Sequence, residues 1–137
     1  MFTLTLVTPE KKIVAGSEIE EVFVPGFKGE LNILPGHAPL MTTLETGVLR
    51  YRLKGETQFH TVAVSWGYCQ VNPYGVNVLA ETAERPDEID AARADATLKS
   101  AQSMLVGTDL TAENVDKYRF KVARAMIRKE VAGLLKH

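Results

Sequence analysis

Val24-Pro25-Gly26-Phe27-Lys28-Gly29-Glu30-Leu31-Asn32-Ile33-Leu34-Pro35-Gly36-His37-Ala38-Pro39-Leu40 holds three prolines and three glycines in seventeen residues. Proline fixes φ and donates no backbone hydrogen bond. Glycine reaches φ > 0 without steric cost. The stretch therefore cannot be one helix or one strand. It predicts a tight turn at Pro25-Gly26, a short apolar strand over Leu31–Leu34, and a second turn at Pro35-Gly36. Pro39 falls near the start of a further strand, where a missing donor does least harm.

Short strands flank this stretch on both sides. Phe2, Leu4 and Leu6 alternate with Thr3, Thr5 and Val7, the period of a half-buried strand. Ile13–Ala15 and Ile19–Val24 are expected as two strands separated by Gly16-Ser17. Leu40–Leu44 runs to a turn near Gly47. Val48–Leu53 and Phe59–Val64 flank the loop residues Lys54-Gly55-Glu56. Tyr68–Val71 and Val76–Ala80 flank Asn72-Pro73-Tyr74-Gly75. This spacing suggests an antiparallel sandwich or barrel.

The pattern changes after Ala80. Glu81 to Pro86 is polar, and Asp87-Glu88-Ile89-Asp90 reads as an acidic helix start. Ala91, Ala94, Leu98, Ala101 and Leu105 then recur at helical intervals. A break is expected over Gly107 to Thr111, and a second helix from Ala112 to about Leu135. Val115, Tyr118, Val122 and Ala125 form one apolar stripe on it. Phe120, Ala123, Ile127, Val131 and Leu134 form another. So short a connection implies an antiparallel helix hairpin. The fold class is α+β: an N-terminal antiparallel β-sandwich over residues 1–84, then a two-helix hairpin over 85–137.

Composition narrows the functions open to such a chain. At 137 residues with 45% apolar content it can bury a core without staples. A net charge of −1 gives no overall attraction for nucleic acid. Cys69 is the single cysteine, so no internal disulfide forms. The N-terminus carries no signal-peptide pattern, and no run approaches the roughly 18 apolar residues of a membrane helix. Any link to a membrane is expected to run through partner proteins.

Catalytic constellations fail one by one. Ala63-Val64-Ser65-Trp66-Gly67 lacks the first glycine of a nucleophile elbow. His37, His60 and His137 lack metal-ligand spacing. Gly26-x-x-Gly29 lacks the lysine of a phosphate loop. Glu81, Glu84, Asp87, Glu88, Asp90 and Asp95 gather where a helix start supplies solvent and a dipole, not an acid–base pocket. Lys117, Lys121, Arg124 and Arg128 are spaced four, three and four, a basic stripe along one helix face.

Gly29-Glu30-Leu31-x-Ile33-Leu34-Pro35-Gly36-His37-Ala38-Pro39-Leu40 resembles the signature of the epsilon subunit of bacterial F-type ATP synthases. Val64-Ser65-Trp66-Gly67-Tyr68 resembles the same family's valine-serine-glycine-glycine stretch, with Trp66 standing where a glycine is usual. Val78 to Arg85 resembles the family's junction into its helices. The resemblance implies a non-catalytic rotor subunit of the central stalk, peripheral at the cytoplasmic face of the plasma membrane. It implies docking on the gamma subunit and the membrane ring, with Glu30, Leu31 and His37 in that contact. It also implies that the helices inhibit ATP hydrolysis by reaching the catalytic-core subunits, with the basic stripe as inhibitory surface. No cofactor is required. Ile89-Asp90-Ala91-Ala92-Arg93-Ala94 matches the motif with which some epsilon subunits bind ATP, which marks Glu84, Ile89, Asp90, Arg93 and Ala94 for a regulatory nucleotide. Lys99 is the nearest match to a further arginine of strong binders. The alternative function is a free-standing ATP-sensing module.

Overall fold

The computed structural model describes residues 2–36, 38–105 and 111–134. The chain divides into two compact units, Met1–Glu84 and Arg85–His137.

The first unit holds seven strands: β1 (Thr3–Val7), β2 (Lys12–Gly26), β3 (Gly29–Ile33), β4 (Leu40–Leu44), β5 (Gly47–Leu53), β6 (His60–Asn72) and β7 (Gly75–Glu84). They follow the order β1-β7-β6-β4-β2-β3, and β5 pairs with β2 and β6. A further β1–β2 pairing is present. The pairings are antiparallel except β1–β7, which is parallel and departs from the all-antiparallel expectation. The core is built from alternating aliphatic residues such as Leu4, Leu6, Val22, Val24, Leu49 and Val78, all fully buried. Each such side chain contributes about 1.5–3 kcal/mol on leaving water.

Three expected boundaries move. Ile13–Ala15 and Ile19–Val24 belong to one strand, β2. Gly16, at φ 67°, is passed over in the pairing, since Leu4 faces Ser17 and Thr5 faces Ala15. It forms a bulge rather than a break. Pro25-Gly26 ends β2, and the turn sits at Phe27-Lys28. Pro25 stays in the strand because β2 is ending and its pairing there is to the short β3. Phe59–Val64 and Tyr68–Val71 likewise merge into β6, which begins at His60.

The long strands serve both layers of the sandwich by changing phase. In β6, Val62 and Val64 point inward, then Cys69 and Val71 do. The first pair are even-numbered positions and the second odd. The reversal falls at Trp66 (φ 49°) and Gly67 (φ 145°). There β6 passes from β5, where Val64 faces Gly47, to β4, where Gly67 faces Leu44.

The second unit opens with a 3-10 turn, Pro86–Glu88, ahead of helices α1 (Ala91–Leu105) and α2 (Ala112–Leu134). The acidic helix start is thus a separate turn, and the main helix begins three residues later than its first acids suggest. Asp90 caps α1, its Oδ1 accepting the Arg93 N–H at 3.0 Å. Thr111 caps α2, its Oγ1 accepting the Asn114 N–H at 3.2 Å. Most of the expected break, from Gly107 onward, lies outside the described residues. The helices run antiparallel, since Asp95 near the start of α1 bonds Lys129 near the end of α2. Ala94 and Ala101 of α1 are buried, as are Ala125, Val131 and Ala132 of α2. Ala123, expected in an apolar stripe, is exposed.

Candidate functional site: docking faces and a basic helix groove

One face of the sandwich carries a groove bordered by exposed apolar side chains. Thr43, Tyr68 and Leu79 stand in register across β4, β6 and β7, and Val7 of β1 continues the row beside Leu79. Tyr68 is 56% exposed and Leu79 50%, although both lie mid-strand. Their neighbours Cys69, Val78 and Ala80 are buried, so Tyr68 and Leu79 stand on the outward phase, among the polar Gln70, Asn77 and Glu81. Trp66, 45% exposed, stands beside them. Together with Pro9, Glu45 and Glu81 they line an open groove of about 500 Å³. Sequence reading left this cluster unassigned. Local alternation does not reveal it, because β6 reverses phase at Trp66 and Gly67 and so changes which residues face outward.

The expected ring-contact residues are placed as follows. Glu30 is exposed, and its Oε1 accepts from Arg50 Nη2 at 3.3 Å. The Arg50 guanidinium also lies 4.5 Å over the Phe23 ring. Leu31 is half-buried, paired with Val24 and packed against the core, so it offers less surface than expected. His37 lies outside the described residues.

Four of the five expected nucleotide residues fall in the helical unit. Ile89 and Ala94 are buried, while Asp90 and Arg93 are exposed. Glu84, at the end of β7, belongs to the first unit. Asp90 and Arg93 meet through the helix start. Asp90 precedes the first helical residue, and one of its oxygens is committed to the Arg93 backbone.

The basic stripe splits in two. Lys117 and Lys121 are exposed, with their Nζ atoms 6.0 and 5.7 Å from the Tyr118 ring centroid. Arg124 and Arg128 are half-buried. All four line a cavity of about 210 Å³ with Phe120, Ala125 and, from α1, Thr97. The stripe therefore borders the helix–helix seam rather than lying wholly away from it. Beyond this seam, Asp95 ties the helices together. Its Oδ1 lies 2.7 Å from Lys129 Nζ and its Oδ2 lies 3.0 Å from Lys99 Nζ. Hydrogen bonds from these two ammonium groups hold its carboxyl below the ordinary value of 3.8.

Two other groups are chemically quiet. Burial pushes the Cys69 thiol up to about 11. His60 pairs with Glu56 at 2.9 Å and stacks on Tyr51, a surface role. Among the described residues no cluster of three or more His, Cys, Asp or Glu could hold a metal ion. No helix among them is long and apolar enough to cross a membrane.

The described residues thus form a seven-stranded sandwich with an apolar groove on one face and an antiparallel helix pair. Residues 1–86 match the family described as ATP synthase, Delta/Epsilon chain, beta-sandwich domain. An ATP synthase epsilon chain from Bdellovibrio bacteriovorus is 49% identical over 129 residues, covering 94% of this chain and 92% of that one. One from Geobacter metallireducens is 45% identical over 128 residues, covering 93% and 91%. In fold, the chain is similar to one in Euglena gracilis mitochondrial ATP synthase, solved as OSCP/F1/c-ring, at a TM-score of 0.81. That match has 20% identity and covers 99% of this chain and 81% of the other. A chain in the central stalk/c-ring structure of Tetrahymena thermophila mitochondrial ATP synthase gives a TM-score of 0.71 at 16% identity, covering 96% of each. The chain belongs to the ATP synthase epsilon-chain family, a non-catalytic subunit type.

Proposed function

We propose that this chain is a rotor subunit that couples the membrane ring to the catalytic core of a proton-translocating ATP synthase and restrains ATP hydrolysis through its helices. The sandwich docks on the gamma subunit and the ring, at the cytoplasmic face of the membrane. The observation that carries the reading is the apolar outer face of the sandwich, centred on Tyr68 and Leu79. A stable apolar row in mid-sheet is expected where another protein covers it. Glu30, held by Arg50 on a stiff scaffold, suits the ring contact.

The helical unit supports inhibition through charge. Lys117 and Lys121 present a cationic face to an acidic surface of the catalytic subunits. Each exposed pair contributes roughly 0.2–1 kcal/mol, so the effect is distributed. Reversing Arg124 and Arg128 would disturb the helix seam as well as the charge, because both are half-buried. Lys117→Glu with Lys121→Glu is the cleaner variant. A membrane-bound complex depleted of this chain and then reconstituted with it should regain proton-driven ATP synthesis and show lowered ATPase activity. The double variant should regain synthesis but inhibit less, most clearly at low salt. Equal inhibition by both forms at low salt would reduce the stripe to a solvated face. Failure of the wild type to restore synthesis would remove the rotor reading altogether.

A regulatory ATP is the second reading, and the exposure of Asp90 and Arg93 at the start of α1 favours it. Arg93 and the open oxygen of Asp90 remain the residues to test. Calorimetric titration of wild type against Arg93→Ala decides it: undiminished binding by the variant takes Arg93 out of the site.

A further inference from the structure

We propose that Trp66 is the anchor that gives the sandwich its partner specificity, inserting its ring into an apolar seat on the stalk partner. This rests on the docking reading above and adds the residue and the chemistry it selects.

Three observations converge on Trp66. The first is backbone strain. Trp66 has φ 49°, the one non-glycine residue at positive φ among those described. The phase reversal of β6 needs such a conformation there, and glycine would adopt it without cost. A bulky tryptophan at this φ is an outlier of backbone geometry. Strain held at one position of an otherwise regular scaffold points to use of its side chain.

The second is direction. Without the reversal, residue 66 would share the inward phase of Val62 and Val64. The left-handed turn sends the indole outward instead, leaving it 45% exposed at the groove. The third is surroundings. Tyr68, Leu79 and Pro9 supply an apolar floor, while Glu45 and Glu81 are exposed at the rim. Tryptophan and tyrosine at the centre of a patch, ringed by polar residues, form the usual anatomy of a binding hot spot.

The rim charges define the occupant. Two carboxylates flanking an apolar floor fit a protein segment with an apolar side chain flanked by Lys or Arg. A segment with flanking acids would meet like charge and be rejected. The occupant is therefore a protein segment that carries an apolar side chain flanked by Lys or Arg.

Trp66 is the single tryptophan of the chain. Incorporation of 5-fluorotryptophan thus yields one fluorine resonance that reports on the anchor without any substitution. The full chain so labelled is titrated with the purified core complex of its own ATP synthase, stripped of this subunit. The resonance should shift on binding. Trp66→Gly should weaken binding roughly tenfold or more, while Trp66→Phe stays within about threefold of wild type. Trp66→Gly should also melt no earlier than the wild type, because it relieves the strained φ. That combination separates a binding role from a structural one. Binding of the wild type with an unmoved resonance and an unweakened glycine variant overturns the anchor and leaves the stalk reading standing. No binding by the wild type overturns both.

Discussion

Gly67 follows the strained tryptophan and shows how little room the phase reversal leaves. A Cβ at this position would lie 1.9 Å from the Leu79 carbonyl oxygen. The neighbouring strand cannot retreat without breaking its pairing, since Gly67 faces Ala80 and Tyr68 faces Leu79. Gly67→Ala should therefore destabilise the sandwich by about 3 kcal/mol or more, read from the denaturant midpoint. A shift under about 1 kcal/mol would mean that the β6–β7 pair is more compliant than its register suggests. Two residues further on, Cys69 is fully buried with its thiol raised to about 11. The neutral thiol is not a nucleophile at pH 7. Alkylation by a thiol reagent should proceed only as the sandwich unfolds, and rapid native-state labelling would contradict the burial.

At the scale of the element, the helix pair is held by small residues and a few polar ties. Buried alanines bring α1 and α2 close but remove little apolar area from water. The Asp95–Lys129 contact therefore weighs more here than it would beside a large core. The Asp95 carboxyl is held below its unfolded value of 3.8. Its stabilising effect is fully present above that value and is lost as pH falls through the lower folded value. Helical circular dichroism of the full chain should show the α1–α2 pair loosening on acidification below about pH 4, and Asp95→Asn should bring that loosening to neutral pH. High salt should weaken the same tie. An Asn variant with unchanged helicity and unchanged proteolysis of α2 would show that the alanine seam suffices alone. Asp90→Ala removes the cap of α1 and should cost about 1 kcal/mol in the same assay.

For the whole molecule, the division at Glu84 and Arg85 separates two kinds of stability. The sandwich has a continuous aliphatic core contributed by all its layers. The helical unit has an alanine-rich seam. Residues 1–84 expressed alone should melt in one cooperative transition close to that of the same unit in the full chain. A broad, non-cooperative melt would show that the sandwich depends on the helices. The same contrast fits the proposed regulatory role, in which the helices rearrange while the scaffold holds.

The chain's own periodicities were enough to determine the order of strands and helices. Alternation in Phe2–Val7 and the three-and-four spacing of Ala94, Leu98 and Ala101 are local signals, and local geometry obeys them. The punctuated stretch from Val24 to Leu40 likewise determined a β-corner, with the first turn displaced by two residues and the short strand running over Gly29–Ile33 instead of Leu31–Leu34. The tertiary structure alone decided what depends on residues distant in sequence. Gly16 is a bulge and not a break because β1 runs past it and holds both sides. The parallel β1–β7 pairing joins the two ends of the sandwich, which no local pattern encodes. Asp90 became a cap because the helix begins one residue after it, and helix boundaries are set by capping competition. The outer face emerged only when β4, β6 and β7 came into register and set Thr43, Tyr68 and Leu79 side by side. Each of those residues is unremarked in its own strand, and a surface is a property of strands together.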